Sequence, residues 1–449
     1  MILPEAFLQS LADVPGFDRA TFVECHQSNA PVTSVRLNPD KQISLQESWQ
    51  TKEVPWCSEG RYLATRPSFT QDPFLHGGGY YVQEASSMFI WHILSQLYKR
   101  TDPLQILDLC AAPGGKSTLL ASYFQQALLV ANEVIKSRAG ILVENLIKWG
   151  SPNTVVTNND PTHFKQLPGF FDLMLVDAPC SGSGLFRKDP AALDEWSEEA
   201  VMLCSRRQQR ILADVLPALK EGGILLYATC SYSFEEDEAI TKWLMEEMQM
   251  EAVQISVPSE WGIVAAYIPG AFRFFPNRLA GEGFYISVLR KQQADQAVYY
   301  KENALLQPNK NSSFLFREKF HLPENTSVFL QGNQVRSMPS VHWKAVQQLA
   351  AALYIKKAGI ELGEEKGKDI IPSHEWAMQY GIKEGWPIIH LNLSEALAYL
   401  GRQPLTLEAA NGWNLVSYQG CMLGWVKIIQ NRLNNYYPTH WRILKIGGS

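Results

Sequence analysis

The sequence predicts an α/β protein organised around a mainly parallel sheet. Three observations predict it. Short apolar runs alternate with amphipathic helical stretches between residues 104 and 291. The first run leads through a glycine loop, "CAAPGGKST" (110–118), into a helix. Later runs close on a carboxylic acid, as in "LMLVD" (173–177). Alternation of this kind implies right-handed crossovers between parallel strands.

Each element has its own signal. "LQILDLC" (104–110) reads as a strand, 116–126 as a helix, "ALLVAN" (127–132) as a strand and 135–148 as a helix. "NTVVT" (153–157) and "DLMLV" (172–176) are strands, 198–219 is a long helix, and "GILLYAT" (223–229) is a strand. A helix is expected over 234–249, because Ser233 and Glu236 have capping-box spacing. "GFYISVLRK" (283–291) is the final strand of the main domain, which spans 76–291. Residues 1–75 are mixed and proline-dotted, and read as an α+β extension. After 291 the composition shifts. "KQQADQAVYYKENALLQPNKNSS" reads as a linker, and 292–372 as linker plus a small α/β module. Residues 373–449 carry the alternation of short strands, as in "WNLVSYQGCMLGWVKII".

Composition excludes several classes. Hydrophobic residues are 46% and charged residues 19% of the 449, which fits a packed globular chain. No run reaches the roughly 18 apolar residues of a membrane span. The N-terminus lacks a signal-peptide pattern. Seven cysteines without paired spacing fit free thiols in a reducing cytoplasm. No CxxC or His/Cys cluster argues for a metal. Net charge is −5, yet residues 421–449 hold Lys427, Arg432, Arg442 and Lys445 and no acid. A local basic patch of this kind can bind phosphate on an acidic protein.

The glycine loop lets backbone amides approach an anionic or carboxylate-bearing ligand at a helix N-terminus. It nearly matches the phosphate loop GxxxxGK[ST], but the first glycine would fall at 110, which is cysteine. An NTPase therefore stays open as a rival. The acids favour an adenosine-bearing cofactor instead. Glu133 closes the second strand, where an acid bonds ribose hydroxyls. Asp160 follows the third, suited to an adenine amine, and Asp177 ends the fourth. Any one of these acids alone could be a solvated loop end or a helix cap.

Two cysteines follow strands: Cys180 in "VDAPCSGSG" and Cys230 in "YATCSYS". Open α/β sheets bind ligands along that edge. The helix expected at 234 would place its N-terminus near Cys230 and favour the thiolate. A lone cysteine is more often an inert core residue, but two beside a cofactor site suggest chemistry. Methylation at pyrimidine C5 needs such a set. That carbon is too weak a nucleophile until a thiolate adds at C6, and the charge that develops needs a proton or hydrogen-bond donor.

"LDLCAAPGGKST", "VDAPCSGSG" and "YATCSYS", with "SVRLNP" and "GYYVQEASSM" upstream, resemble the NOL1/NOP2/Sun family of S-adenosyl-L-methionine-dependent RNA cytosine-C5 methyltransferases. The tail "NYYP…WRILK" is similar to the bacterial RsmF-type branch, which modifies 16S rRNA of the small ribosomal subunit. The resemblance implies a Rossmann-like class I methyltransferase sheet, an RNA-binding N-terminal extension and a PUA-like C-terminal β-domain. It implies Cys230 as nucleophile, Cys180 assisting product release, and Asp177 near the base. It maps the cofactor onto Cys110, Ala111, Ala112, Pro113, Gly114, Gly115, Lys116, Glu133, Asp160 and Asp177. The spacing of the two cysteines leaves their roles open; only the resemblance separates them.

A base inside a duplex cannot present C6 to a thiol, so the target must be single-stranded or flipped. Lys427, Arg432, Arg442 and Lys445 are candidates for phosphate contacts, with Trp425, Tyr436, Tyr437 and Trp441 for stacking. Arg36, Arg187, Arg206 and Arg207 are further candidates, though each reads more readily as a surface or structural residue. The chain is expected to be a cytoplasmic monomer acting on 16S rRNA, with no membrane or metal partner. The rivals are a tRNA substrate, a non-catalytic ribosome-assembly factor, and the NTPase.

Overall fold

The structure is a computed structural model, and it describes residues 2–28, 32–41, 43–293, 310–366, 369–381, 383–430 and 432–445. Most of the linker expected after residue 291 falls on 294–309, outside the described residues.

Six strands form the heart of the fold: β1 (Gln105–Asp108), β2 (Leu128–Asn132), β3 (Thr154–Thr157), β4 (Phe171–Asp177), β5 (Leu219–Thr229) and β6 (Phe284–Lys291). They lie in the order β6-β5-β4-β1-β2-β3. Neighbours from β5 to β3 are parallel, and β6 is antiparallel to β5. Chain order therefore reverses between β1 and β4, and their carboxyl ends diverge into a crevice, the usual ligand position in such sheets.

The strand centres are apolar because both faces are covered. Leu107, Val130, Met174, Val176 and Tyr227 pack on one side. Ile106, Leu129, Leu175, Leu226 and Ala228 pack on the other. The period of two along each strand sends alternate side chains to opposite cores.

Four helices matter for the site: α1 (Gly115–Tyr123), α2 (Lys136–Trp149), α3 (Glu198–Val215) and α4 (Glu238–Glu246). Two of them differ from expectation. The helix expected to reach 219 ends at Val215, because Pro217 cannot continue it. The strand then begins at Leu219 rather than 223. The helix expected from 234 starts only at Glu238. Its expected capping box does not form: among the described residues the buried Ser233 hydroxyl has no hydrogen-bond partner. Glu236 accepts from Ser181 and Ser231 instead. The first turn after Cys230 is thus not helical, and the helix-terminus reason for a reactive Cys230 does not hold.

The N-terminal residues form a four-stranded sheet, Lys52–Val54, Cys57–Leu63, Thr33–Leu37 and Tyr80–Val82, preceded by the helices Glu5–Ser10 and Arg19–Ser28. A second small sheet joins Thr326–Gln331, Gln334–Pro339, Ile360–Lys366 and Asp369–Pro372. The strand Ile355–Ala358, between these, leaves that sheet and pairs antiparallel with β3. The C-terminal β-domain holds Ile388–Leu391, Gly412–Tyr418, Cys421–Ile429 and Arg432–Asn435. Its helix Leu393–Leu400 starts on an Asn392/Glu395 capping box. Among the described residues no helix is long and apolar enough to cross a membrane.

Candidate active site

The glycine loop is bent by Gly114, whose φ of 118° suits a residue without a side chain. A Cβ there would also press on Leu142 at 3.3 Å. The loop is tied down from its neighbours. The Ala111 amide donates to the Asn132 carbonyl at 2.8 Å. Arg138 donates to the Ala112 carbonyl and Asn145 to the Pro113 carbonyl, each at 2.8 Å. Beneath it lies Asp108, fully buried, accepting from the Ser117 hydroxyl at 2.6 Å. Burial pushes the Asp108 carboxyl up to about 7.

The three strand-end acids take different partners. Asp177 accepts from the Lys116 ammonium at 2.6 Å. Burial alone would lower the Lys116 pKa, but the Asp177 carboxylate more than offsets this and raises it. Glu133 is almost wholly buried, accepts from the Ile135 amide at 2.8 Å and lies 3.7 Å from Arg138. Asp160 caps the turn Pro161–Gln166 with one oxygen, accepting from the Thr162 hydroxyl at 2.7 Å and amide at 3.0 Å. Those bonds hold its pKa below the usual value, so Asp160 is a cap as well as a wall of the site.

The loops after β4 and β5 meet. The Gly184 amide donates to the Cys230 carbonyl at 2.9 Å. The Cys180 and Cys230 sulfurs stand 3.0 Å apart. The bond to Cys230, together with burial, pushes the Cys180 thiol well up.

A cavity of about 420 Å³ opens at the reversal point of the sheet. Cys110, Ala112, Glu133, Asp160, Asp177, Cys180 and Cys230 all line it. Ala111, Pro113, Gly114, Gly115 and Lys116 do not, although Lys116 reaches the wall through Asp177. Sequence reasoning missed Asn132, Arg138 and Arg210, which also line the cavity. Arg210 had a readable signal: it lies three residues from Arg207 on one face of α3.

The RNA candidates divide. Arg432, Arg442 and Lys445 are exposed, and Lys427 is half-buried with its ammonium 5.1 Å from the Trp413 ring. None of the four lines the cavity. Trp425, Tyr437 and Trp441 belong to apolar cores and cannot stack on bases; Tyr436 is 40% exposed. Arg206 and Arg207 are exposed. Arg36 is wholly buried, donating to Gln83 and Thr118 and lying 4.6 Å from the Trp149 ring centre, so it is structural. Arg187 is buried beside Glu282 at 3.7 Å. An arginine in an apolar-polar stretch looks the same in sequence whether its partners are in the protein or outside it.

An open parallel sheet of this order, with its ligand-sized cleft at the reversal point, defines a Rossmann-like methyltransferase domain. A solved methyltransferase homolog protein from Pyrococcus horikoshii is 28% identical, with a TM-score of 0.52 over 64% of this chain and 100% of that one. NSun6 from the same organism, 18% identical, shares the fold with a TM-score of 0.55 over 65% and 99% of the two chains. Residues 96–290 match the family described as 16S rRNA methyltransferase RsmB/F. Residues 3–85 match the N-terminal domain of 16S rRNA methyltransferase RsmF, and 387–443 the methyltransferase RsmF PUA domain. The ribosomal RNA small subunit methyltransferase F of Aeromonas hydrophila is 32% identical over 408 residues, covering 87% of this chain and 85% of that protein. The chain belongs to the ribosomal RNA small subunit methyltransferase F family.

Proposed function

We propose that this protein transfers a methyl group from S-adenosyl-L-methionine to C5 of a cytosine in 16S rRNA, through a covalent bond between Cys230 and C6. The observation that carries the reading is the pair of sulfurs 3.0 Å apart on the wall of an acid-lined cavity.

The acids fit the cofactor's donors. Glu133 suits the ribose diol, Asp160 the adenine amine, and Asp177 the amino-acid ammonium or the base; Cys110 to Lys116 supply the loop. Bound there, S-adenosyl-L-methionine supplies an electrophilic methyl. The chain does the rest. Cys230 adds as thiolate to C6, so an S–C6 bond forms and electron density moves to C5. Asp177 or its Lys116 partner offers a proton or hydrogen bond to the ring as its charge develops. After C5 is methylated its proton is lost to water, the S–C6 bond breaks and the C5–C6 double bond returns. Cys180 assists that release. Arg207 and Arg210 at the cavity, and the basic residues of the PUA domain, suit the phosphates of an RNA strand whose target base is unstacked. The names of the relatives favour ribosomal RNA of the small subunit over a tRNA; the compartment we infer for that reaction is the cytoplasm.

The test uses two variants. Cys230→Ala loses methylation by at least about a thousandfold, the order expected of a missing covalent nucleophile, while binding of S-adenosylhomocysteine stays within about twofold. Cys180→Ala accumulates a denaturation-resistant protein–RNA adduct on a gel. Normal turnover by the first variant, or no adduct with the second on a good substrate, overturns the assignment.

A further inference from the structure

Glu236 reads in sequence as a helix cap, but its buried carboxylate bridges the two cysteine loops. One oxygen accepts from the Ser181 amide at 2.8 Å and from the Gln208 side chain at 3.3 Å. The other accepts from the Ser181 hydroxyl at 2.5 Å and the Ser231 hydroxyl at 2.7 Å. Ser181 directly follows Cys180, and Ser231 directly follows Cys230. The Glu236 carbonyl is held as well, by the Tyr227 hydroxyl at 2.5 Å.

A glutamine would keep one acceptor oxygen and place an NH2 donor opposite the Ser181 and Ser231 hydroxyls, which can turn to accept from it. What a glutamate adds is charge, and among the described residues no donor bonded to that carboxylate is a cation. Burial raises the Glu236 carboxyl against the pull of its four donors, and once ionised its charge disfavours a second one nearby. It acts on Cys180, whose thiol is pushed up by Cys230, by burial and by Glu236. Cys230 has the opposite neighbour, the Lys116 ammonium. Two sulfurs at 3.0 Å cannot comfortably both ionise. The other ionisable groups around the pair are Asp177 and Cys110 on the cofactor side, Cys204, Arg207 and Arg210 from α3, and Tyr227 from β5.

We propose that Glu236 is a positioning residue that holds the two sulfurs in register and keeps Cys180 in its thiol form. Cys180 then stays a thiol whose S–H donates to the Cys230 thiolate, first before attack and again as the S–C6 bond breaks. This rests on the cysteine-addition reading above. It explains how two chemically identical side chains take different roles.

The test needs no RNA, so its failure is separate from failure of the methylation reading. The pH dependence of iodoacetamide alkylation is measured for Cys180 in Cys230→Ser and for Cys230 in Cys180→Ser. Cys180 must titrate at the higher pH; the reverse order overturns the proposal, whatever happens to any Glu236 variant. Adding Glu236→Gln to Cys230→Ser lowers the Cys180 midpoint by about one pH unit, the usual scale of a nearby-charge effect. Ser181→Ala, which removes one clamp bond and keeps the charge, leaves that midpoint in place. An unmoved midpoint in the folded Gln variant, or an equal fall in the Ala variant, also overturns it.

Discussion

Asn132 offers the sharpest test of how the fold builds this site. It ends β2 with 1% exposure, and its side-chain amide is fully used. The nitrogen donates to the Leu109 carbonyl at 3.2 Å and the Asn159 carbonyl at 3.0 Å. The oxygen accepts from the Thr157 hydroxyl at 2.8 Å and the Asn159 amide at 3.0 Å. One side chain therefore ties together the ends of β1, β2 and β3, just ahead of Glu133. Asn132→Asp keeps the shape and removes both donors. Two buried carbonyls then face a carboxylate. At about 1–3 kcal/mol for each orphaned buried partner, the loss is about 2–6 kcal/mol. Urea unfolding followed by tryptophan fluorescence reads this, and calorimetric titration with S-adenosylhomocysteine reads the site; affinity falls at least about tenfold, the equivalent of 1.4 kcal/mol. The effect should couple to Asn159, whose own amide exchanges two hydrogen bonds with the Tyr354 backbone at 2.9 and 3.0 Å. A double cycle with Asn159→Ala should show about 0.5–3 kcal/mol of coupling. An Asn132→Asp protein within about 1 kcal/mol of the native chain, with unchanged ligand affinity, would refute the reasoning.

Three further outcomes follow from the same geometry. Glu133→Ala weakens S-adenosylhomocysteine binding by about 1.5–3 kcal/mol, the worth of hydrogen bonds to a charged acceptor, and calorimetry on the folded variant checks it. Asp108 titrates in the fold at about 7, against 3.8 for an ordinary aspartate, so the folded state holds a proton that the unfolded chain has already lost. Its contribution to stability therefore falls as pH rises from about 4 to about 7 and is flat above; Asp108→Asn should flatten that window in pH-dependent melting curves, and an unchanged slope counts against it. Replacing Arg432, Arg442 and Lys445 by Gln should weaken RNA binding and make its salt dependence shallower, by about 0.7 in the log–log slope per lost phosphate contact. An unchanged slope removes those residues from the interface.

Strand-helix alternation was enough to read the central sheet, because parallel strands buried on both faces carry long apolar runs and must be joined by helices. The acids were legible only as a set: Asp160 does serve as a cap, yet Glu133, Asp160 and Asp177 all follow strands of one sheet and line one cavity. The exceptions arise where a side chain's partner is remote in sequence. Ser233 and Glu236 have every local mark of a helix cap, yet Glu236 is captured by Ser181, 55 positions away. Two hydroxyls and an amide in a buried site outweigh one helix cap, since a buried carboxylate without donors costs far more than an uncapped helix turn. Arg36 misleads likewise: nothing in "SVRLNP" tells that its guanidinium ends on Thr118 and Trp149. The tail's aromatics fail as base platforms because a small β-domain needs Trp425, Tyr437 and Trp441 to build a core at all. Local pattern sets which elements form, while long-range satisfaction of buried polar groups decides what each polar side chain does. The cysteine pair is the extreme case. Two cysteines 50 positions apart meet where neighbouring strands end, and a serine after each, bonded to one glutamate, ties their loops together. The inequality proposed for them, on which the order of addition and release depends, rests on Glu236 and Lys116, which neither motif contains.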